Sequence, residues 1–383
     1  MAEHDPTAFG NGLSLKLAAR SRHVCVFVGA GASKACGLSD IAGLEKYVRN
    51  GLSGQQLDDF EHQLTGRNLE GVLTRLRRLA AVLADDGSEL DGLTLGRARD
   101  LDRTICSLLI DALRIDQADL APMLRLAAWI ARSDYHLPIE VFTVNYDLLI
   151  ETSLEELSVP CFDGFVGTRH ARFRVDLVEA EPSDSDCWLP SFVVRLWKLH
   201  GSVDWCWVES ERPEVHRRTP SDSSNAAAAI YPSDTKYDES RRVPFVVLQD
   251  RLRRALHRPE TLTLVTGYSF SDHHLNEMLF DAGRRRPRSE IIVFCFGEIP
   301  ANLAEQAMVT PNLQVLAPKE AILGGLRRAW VDDPRDAPED LWKEGTFALG
   351  DFANLTQFLA RSFPPEGELQ SRLAELLAKA TES

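Results

Sequence analysis

Nowhere in the chain do about 18 apolar residues run together, and the opening MAEHDPTAFG has neither the basic nor the apolar stretch of a secretory leader. Both absences lead to the expectation of a soluble, cytoplasmic protein without membrane contact. There is also no C-x-x-C pair. The seven cysteines, Cys25, Cys36, Cys106, Cys161, Cys187, Cys206 and Cys295, are odd in number and scattered, so reduced thiols rather than a disulfide framework are expected. Cys25 and Cys295 fall inside strand-like runs and read as small core hydrophobes. Positive charge is in short supply as well: the net charge is −14 and the sequence pI about 5.2, which disfavours a direct nucleic-acid partner. Its few basic clusters, Arg75, Arg77 and Arg78 and then Arg284, Arg285 and Arg286, sit in or after helical patterns and read as solvated faces. No internal repeat is visible. What remains is an ordinary globular composition, 44% hydrophobic over 383 residues, enough for one large domain with an insertion or for two domains.

The most informative stretch is HVCVFVGAGASKACGLSD, His23 to Asp40. Val24, Val26, Phe27 and Val28 make a short apolar run that breaks at once into Gly29, Ala30, Gly31, Ala32 and Ser33. Glycines permit a sharp turn and a close backbone approach to phosphate, and the helix that follows offers free N–H donors and a positive dipole end. The turn points to a nucleotide ligand. It is not a Walker A loop, because Ser33 and Ala35 flank Lys34, and it is not the usual dinucleotide fingerprint, because Lys34 stands where the third glycine belongs.

From about 45 to 133 the pattern is helix after helix. Leu69, Val72, Leu73, Leu76, Leu79, Ala80 and Leu83 fall at helical spacing, as do Leu101, Ile105, Leu108, Leu109, Ala112 and Leu113. Gly87, Gly92 and Gly96, with Asp85, Asp86 and Ser88, mark a loop inside this block. Apolar strands return at 139–144, 192–199, 261–266, 291–296 and 313–316, separated by helical segments, the pattern of a parallel sheet covered on both faces. Polar stretches at 183–186 and 209–229 read as loops. Residues 1–20 form an N-terminal segment and 21–330 the main domain; DDPRDAPED then reads as a linker before two amphipathic helices, within a C-terminal extension over 331–383. The expected fold is α/β, a Rossmann-like doubly wound parallel sheet with a helical insertion and C-terminal helices.

Ligands of such sheets lie outside the carboxyl ends of the strands, so the residues that end each apolar run carry the chemistry. Four ends stand out: the glycine turn; Thr143, Asn145 and Asp147 in FTVNYD; His200 before Gly201 in WKLHG; and Gly267, Ser269 and Ser271 in TGYSFSD. Taken singly, Asn145 or Asp147 reads as a helix cap, His200 as a structural histidine, and the serines as caps of the helix that opens near Asp272. His273 and His274 are adjacent, so on a helix they diverge by about 100° and do not converge on one ion. No metal is expected.

In order along the chain, GAGxS with Gly37 and Asp40, the T-x-N-x-D strand end, the His-Gly strand end and the Gly-x-Ser turn together resemble the NAD-binding core of the sirtuins. The resemblance covers roughly 21 to 300 apart from the helical insertion. The GYSFSD…N form of the last motif, the tyrosine of VNYD and the insertion are similar, more narrowly, to the sirtuin-like NADases of bacterial antiphage defence. These deplete cellular NAD, and some act beside a hexameric translocase-type ATPase. The resemblance implies that Gly29, Ala30, Gly31 and Ser33, with Asp40 and Thr143 nearby, hold the NAD phosphates and their surroundings. It further implies that Asn145 and Asp147 flank the nicotinamide ribose, that His200 is the catalytic base, and that Gly267 and Ser269 hold the adenosine side. Two departures narrow it. Deacylating sirtuins carry a zinc ribbon of paired C-x-x-C motifs after the His-Gly, where this chain has only Cys206; and Ser39 and Ile41 stand where sirtuins have the Pro and Phe of their nicotinamide loop.

The activity implied is NAD+ hydrolysis to nicotinamide and ADP-ribose, with NAD+ as substrate and water as acceptor. An unregulated NADase would poison its own cell, so a homo-oligomer gated by self-association or by a partner ATPase is expected. An NAD-dependent protein deacylase and a non-catalytic sensor of NAD or ADP-ribose stay open as alternatives.

Overall fold

Val24–Val28 is apolar at every position and buried throughout, as a strand covered on both faces must be. In the computed structural model this strand is β1. Its side chains divide between two hydrophobic clusters, Val24, Val26 and Val28 into one and Cys25 and Phe27 into the other. The structure describes residues 3–83, 88–168, 171–181, 190, 192–208, 214–217, 228–230, 243–332, 334, 337–362 and 367–382. Asp85, Asp86, Gly87 and Cys187, the loop at 183–186, most of the loop at 209–229, and part of the linker after 331 lie outside the described residues.

β1 is central in a nine-stranded sheet. Its companions are β2 (Glu140–Thr143), β3 (Cys161–Phe162), β4 (Val194–Lys198), β5 (Leu262–Thr266), β6 (Glu290–Phe294), β7 (Leu313–Leu316), β8 (Glu320–Leu323) and β9 (Leu326–Ala329), in spatial order β9–β8–β7–β6–β5–β1–β2–β4–β3. The first seven pair in parallel, and the last two turn back antiparallel. The five apolar runs read from the sequence after β1 are β2, β4, β5, β6 and β7, with ends differing by at most two residues. The hairpin β8–β9 is additional. Its Gly324–Gly325 turn and its outer strand LRRA carry no apolar alternation, since an edge strand faces solvent and is protected by charge.

The helices cover both faces. α1 (Pro6–Leu17) precedes β1, its start capped by Asp5 and its first position held by Pro6. Between β1 and β2 run α2 (Ala30–Ala35), α3 (Ile41–Gly51), α4 (Gly54–Leu64), α5 (Leu69–Val82), α6 (Leu95–Ala112) and α7 (Ala121–Arg132). A two-residue hairpin turn at Asp91 and Gly92, with φ of 54° and 76°, lies inside this block. α8 (Leu149–Glu156), α9 (Val175–Glu179), α10 (Phe245–Leu256), α11 (His273–Arg285) and α12 (Ala301–Val309) follow. α13 (Phe352–Ser362) packs on α7 and α2, and α14 (Gly367–Glu382) on α7. Phe352, Leu355, Phe358, Leu359 and Leu373 are buried there, so the apolar stripes of the last two helices are spent on the core.

A second, antiparallel sheet of five strands runs in the order Ala228–Ile230, Gly201–Val208, Glu214–Arg217, Ala171–Phe173, Phe165–Val166. Two of these strands fall in the stretch read as a polar loop. They are only three or four residues long, too short for their alternation to show. Among the described residues no helix is long and apolar enough to cross a membrane.

Candidate active site

The register of the central strands levels their carboxyl ends. Val28 lies opposite Thr266 of β5 on one side and Thr143 of β2 on the other, and Thr143 lies opposite Lys198 of β4. Gly29, Val144, Leu199 and Gly267, the first residues past these strands, therefore share one rim. The chain reverses its direction across the sheet between β1 and β5, where ligands of open α/β sheets bind.

The two glycine turns at that point are locked together. The Gly29 amide donates to Thr266 O at 2.9 Å and the Gly31 amide to Gly267 O at 2.8 Å. A Cβ on Gly31 would meet Gly267 Cα at 2.7 Å, and one on Gly267 would meet the Ala32 nitrogen at 2.5 Å. Gly267 also has φ +65°, which a side chain disfavours. The sequence shows the glycine turn as a set of free donors. The structure shows that the Gly29 and Gly31 amides are taken by the β5 turn, while the Ala30 amide makes neither of these bonds. Beyond Gly267, Tyr268 stacks obliquely on Phe27, its hydroxyl donates to Asn276 Oδ1 at 2.9 Å, and Asn276 Nδ2 donates to Phe270 O at 2.8 Å. The tyrosine and asparagine of the GYSFSD…N pattern thus brace the turn.

Under this lock sits a buried polar chain. Asn145 Nδ2 donates to Gly29 O at 3.0 Å and to Ser33 Oγ at 2.8 Å, and Ser33 Oγ donates to Asp147 Oδ2 at 2.6 Å. Asn145, Asp147 and Ser33 are each less than a tenth exposed. Asp147 also accepts from the Leu149 amide at 3.1 Å, at the start of α8. Thr143 is spent on backbone: its hydroxyl donates to Val28 O and accepts from the Asn145 amide, which fixes the bend that presents Asn145. One atom of the chain is left over. Asn145 Oδ1 is buried and has no hydrogen-bond partner, a costly state unless a ligand group donates to it.

His200 does not contact this chain directly. Its Nε2 lies 3.3 Å from Asp272 Oδ2, both side chains about nine-tenths buried. The pair runs from the end of β4 to the turn after β5, closing over the ends of β1 and β2, which lie between those strands. Asp272 is held in place because its other oxygen caps α11, accepting from the His274 and Leu275 amides. In the sequence Asp272 reads only as a helix start; its pairing with His200 leaves no local signal.

A second layer supports Asp147. Lys198, 2% exposed, donates to the Asp147 carbonyl, and to Glu151 Oε1 at 2.8 Å. Burial pushes the Glu151 carboxyl up to about 7; Asp204 adds to the rise and Lys198 opposes it. The remaining expected residues lie further out. Asp40 caps α3 and accepts from Lys34 Nζ at 2.7 Å, a hydrogen bond that, with the one from the Gly43 amide, holds its carboxyl below the usual range. Ser269 is exposed and shares a hydrogen bond with Ser271 at 2.9 Å. Arg77, read as solvated, is half-buried against Asp102 at 2.9 Å. The buried cluster of Glu140, His23, Trp197 and Arg251 uses the opening residue of β2, at the far end from this rim, and every oxygen of Glu140 is engaged. It is structural. Among the described residues no group of three or more His, Cys, Asp or Glu side chains is placed to hold a metal ion.

No curated protein matches the chain. Residues 139–313, from β2 to the start of β7, match the family model of the SIR2-like domain, which suggests an NAD-related activity.

Proposed function

We propose that the chain is an NAD+ glycohydrolase, splitting NAD+ with water into nicotinamide and ADP-ribose, and that it serves bacterial antiphage defence by depleting NAD+. The observation that carries this reading is the buried Asn145–Ser33–Asp147 chain at the switch point, with Asn145 Oδ1 unpartnered and facing no protein donor. A ribose hydroxyl or a water is the donor that it lacks.

The reaction asks for little covalent work. The bond between the nicotinamide nitrogen and ribose C1′ breaks with its electron pair passing to the departing, already cationic ring, and positive charge develops on the ribose. Asp147 supplies a fixed negative charge there, and Asn145 orients the hydroxyl or the water. With Nε2 of His200 turned to Asp272, Nδ1 is the ring nitrogen left to accept the proton as water adds to C1′. The five-stranded sheet occupies part of the chain where a zinc ribbon would follow the His-Gly, which accords with water rather than an acylated lysine as acceptor.

Chromatography of NAD+ incubated with the chain, without any peptide, tests this. Nicotinamide and ADP-ribose are expected from the wild type, with His200→Ala slower by about 10²–10⁴-fold, the range for a lost general base. Nicotinamide released only when an acylated peptide is added would make the protein a deacylase, and NAD+ bound but left intact by chain and ATPase partner together would make it a sensor. Gating by a homo-oligomer or by a translocase-type ATPase belongs to the same reading. Light scattering that gives a monomer at micromolar concentration, with and without the partner, contradicts it.

A further inference from the structure

Away from the strand ends, a cavity of about 700 Å³ opens on the helical insertion, lined by Arg67, Asn68, Gly71, Thr74, Arg75 and Arg78. Three arginines line it, in a chain whose net charge is −14. Two of them are held in position. Asp91 accepts from Arg75 Nε at 3.2 Å and Nη2 at 2.8 Å, and Arg67 Nη1 donates to the carbonyls of Gln63 and Thr65 at 3.0 and 3.4 Å. Each keeps further N–H donors beyond these bonds. Asn68 caps the amino end of α5, accepting from the Gly71 amide at 2.9 Å, so the positive end of a 14-residue helix borders the same space.

A second observation, independent of the charge, points to a ligand. Thr74 lines the cavity, is only 4% exposed, and its hydroxyl has no hydrogen-bond partner, although a threonine inside a helix ordinarily bonds the carbonyl one turn back. A buried hydroxyl without a partner is a standing cost that a bound acceptor would relieve.

We propose that this cavity binds a phosphate-bearing small molecule of nucleotide size, with its phosphate or pyrophosphate held by Arg67, Arg75 and Arg78 and by the Thr74 hydroxyl. Guanidinium forks match phosphate oxygens two at a time, and the volume exceeds what a bare phosphate fills while lying in the range of small-molecule sites. A hydrogen bond joins this region to the strand ends: Glu70, between Asn68 and Gly71, accepts from the Tyr146 hydroxyl at 3.2 Å, and Tyr146 stands between Asn145 and Asp147.

Calorimetric titration of the full chain with inorganic pyrophosphate at low ionic strength tests the site without reference to NAD cleavage, so this inference and the NADase reading fail separately. Saturable binding at one site is expected, weakened at least about tenfold by Arg67→Gln and by Thr74→Val, since a charge-assisted bond carries about that much affinity. Ser33→Ala, which alters the strand-end chain, is expected to leave it unchanged. Thr74→Val removes a hydroxyl that bonds to nothing, so its unfolding midpoint should equal or exceed that of the wild type and a binding loss cannot be laid to misfolding. Absence of saturable heat overturns the proposal. So does binding that Arg67→Gln and Thr74→Val leave intact, and loss in Ser33→Ala alone would assign the pyrophosphate to the strand-end site.

Discussion

Gly267→Ala is the sharpest probe of the lock between the two turns. Two costs combine. A side chain at φ +65° costs about 1–2 kcal/mol for the left-handed backbone alone. The added Cβ would also stand 2.5 Å from the Ala32 nitrogen and 2.9 Å from Gly29 O, both backbone atoms that cannot swing aside. The turns must part, which sacrifices the Gly31-to-Gly267 bond and loosens the Gly29-to-Thr266 bond, at about 1 kcal/mol each or more if an amide is left buried and unpaired. The total is about 3–5 kcal/mol, a large share of the stability of an ordinary domain. Gly37→Ala is the internal control: Gly37 has φ +88° but nothing within 4 Å of a Cβ, so it carries the strain without the collision. Urea unfolding should therefore rank Gly267→Ala well below Gly37→Ala, with loss of NAD turnover in the former. Equal destabilisation of the two variants would refute the lock.

Other consequences follow from single contacts. Asp272→Asn keeps a good cap on α11 while removing the charge that faces His200. NAD cleavage should slow in that variant, because the carboxylate that orients the His200 ring is gone, with an unchanged unfolding midpoint; an unchanged turnover would separate Asp272 from His200. Glu151 is raised in the folded state, so its contribution to stability is fully present below about 4.5 and is lost as the pH rises through about 7. Glu151→Gln should accordingly flatten the stability difference between pH 5 and pH 8 by about 1–2 kcal/mol in urea unfolding. An unaltered pH slope would show that the carboxyl is solvated.

Much of this architecture is legible in the letters because parallel strands buried on both faces read as unbroken apolar runs, and because the end of each run marks the ligand side of the sheet. That is why Gly29, Asn145, His200 and Gly267 are found from sequence and then lie on one rim. The pairings among them are not legible. Ser33 and Asp147 are 114 residues apart, and nothing near either shows that they share a hydrogen bond. His200 likewise finds Asp272 only through the closure of the sheet. Arg77 looks solvated because its partner Asp102 lies on another helix, and the amides of the glycine turn look free because the turn that occupies two of them comes after β5. The β8–β9 hairpin and two strands of the small antiparallel sheet escape because runs of three or four residues carry too little pattern to count.

The most direct test of the central claim is mass spectrometry of ADP-ribose formed from NAD+ in water enriched with heavy oxygen, comparing the wild type with Asn145→Ala. The account expects one heavy oxygen in the ADP-ribose made by the wild type, and product formation about 10²-fold slower in Asn145→Ala, as for a lost positioning contact. Equal rates in the two proteins, or ADP-ribose without the heavy oxygen, would contradict it.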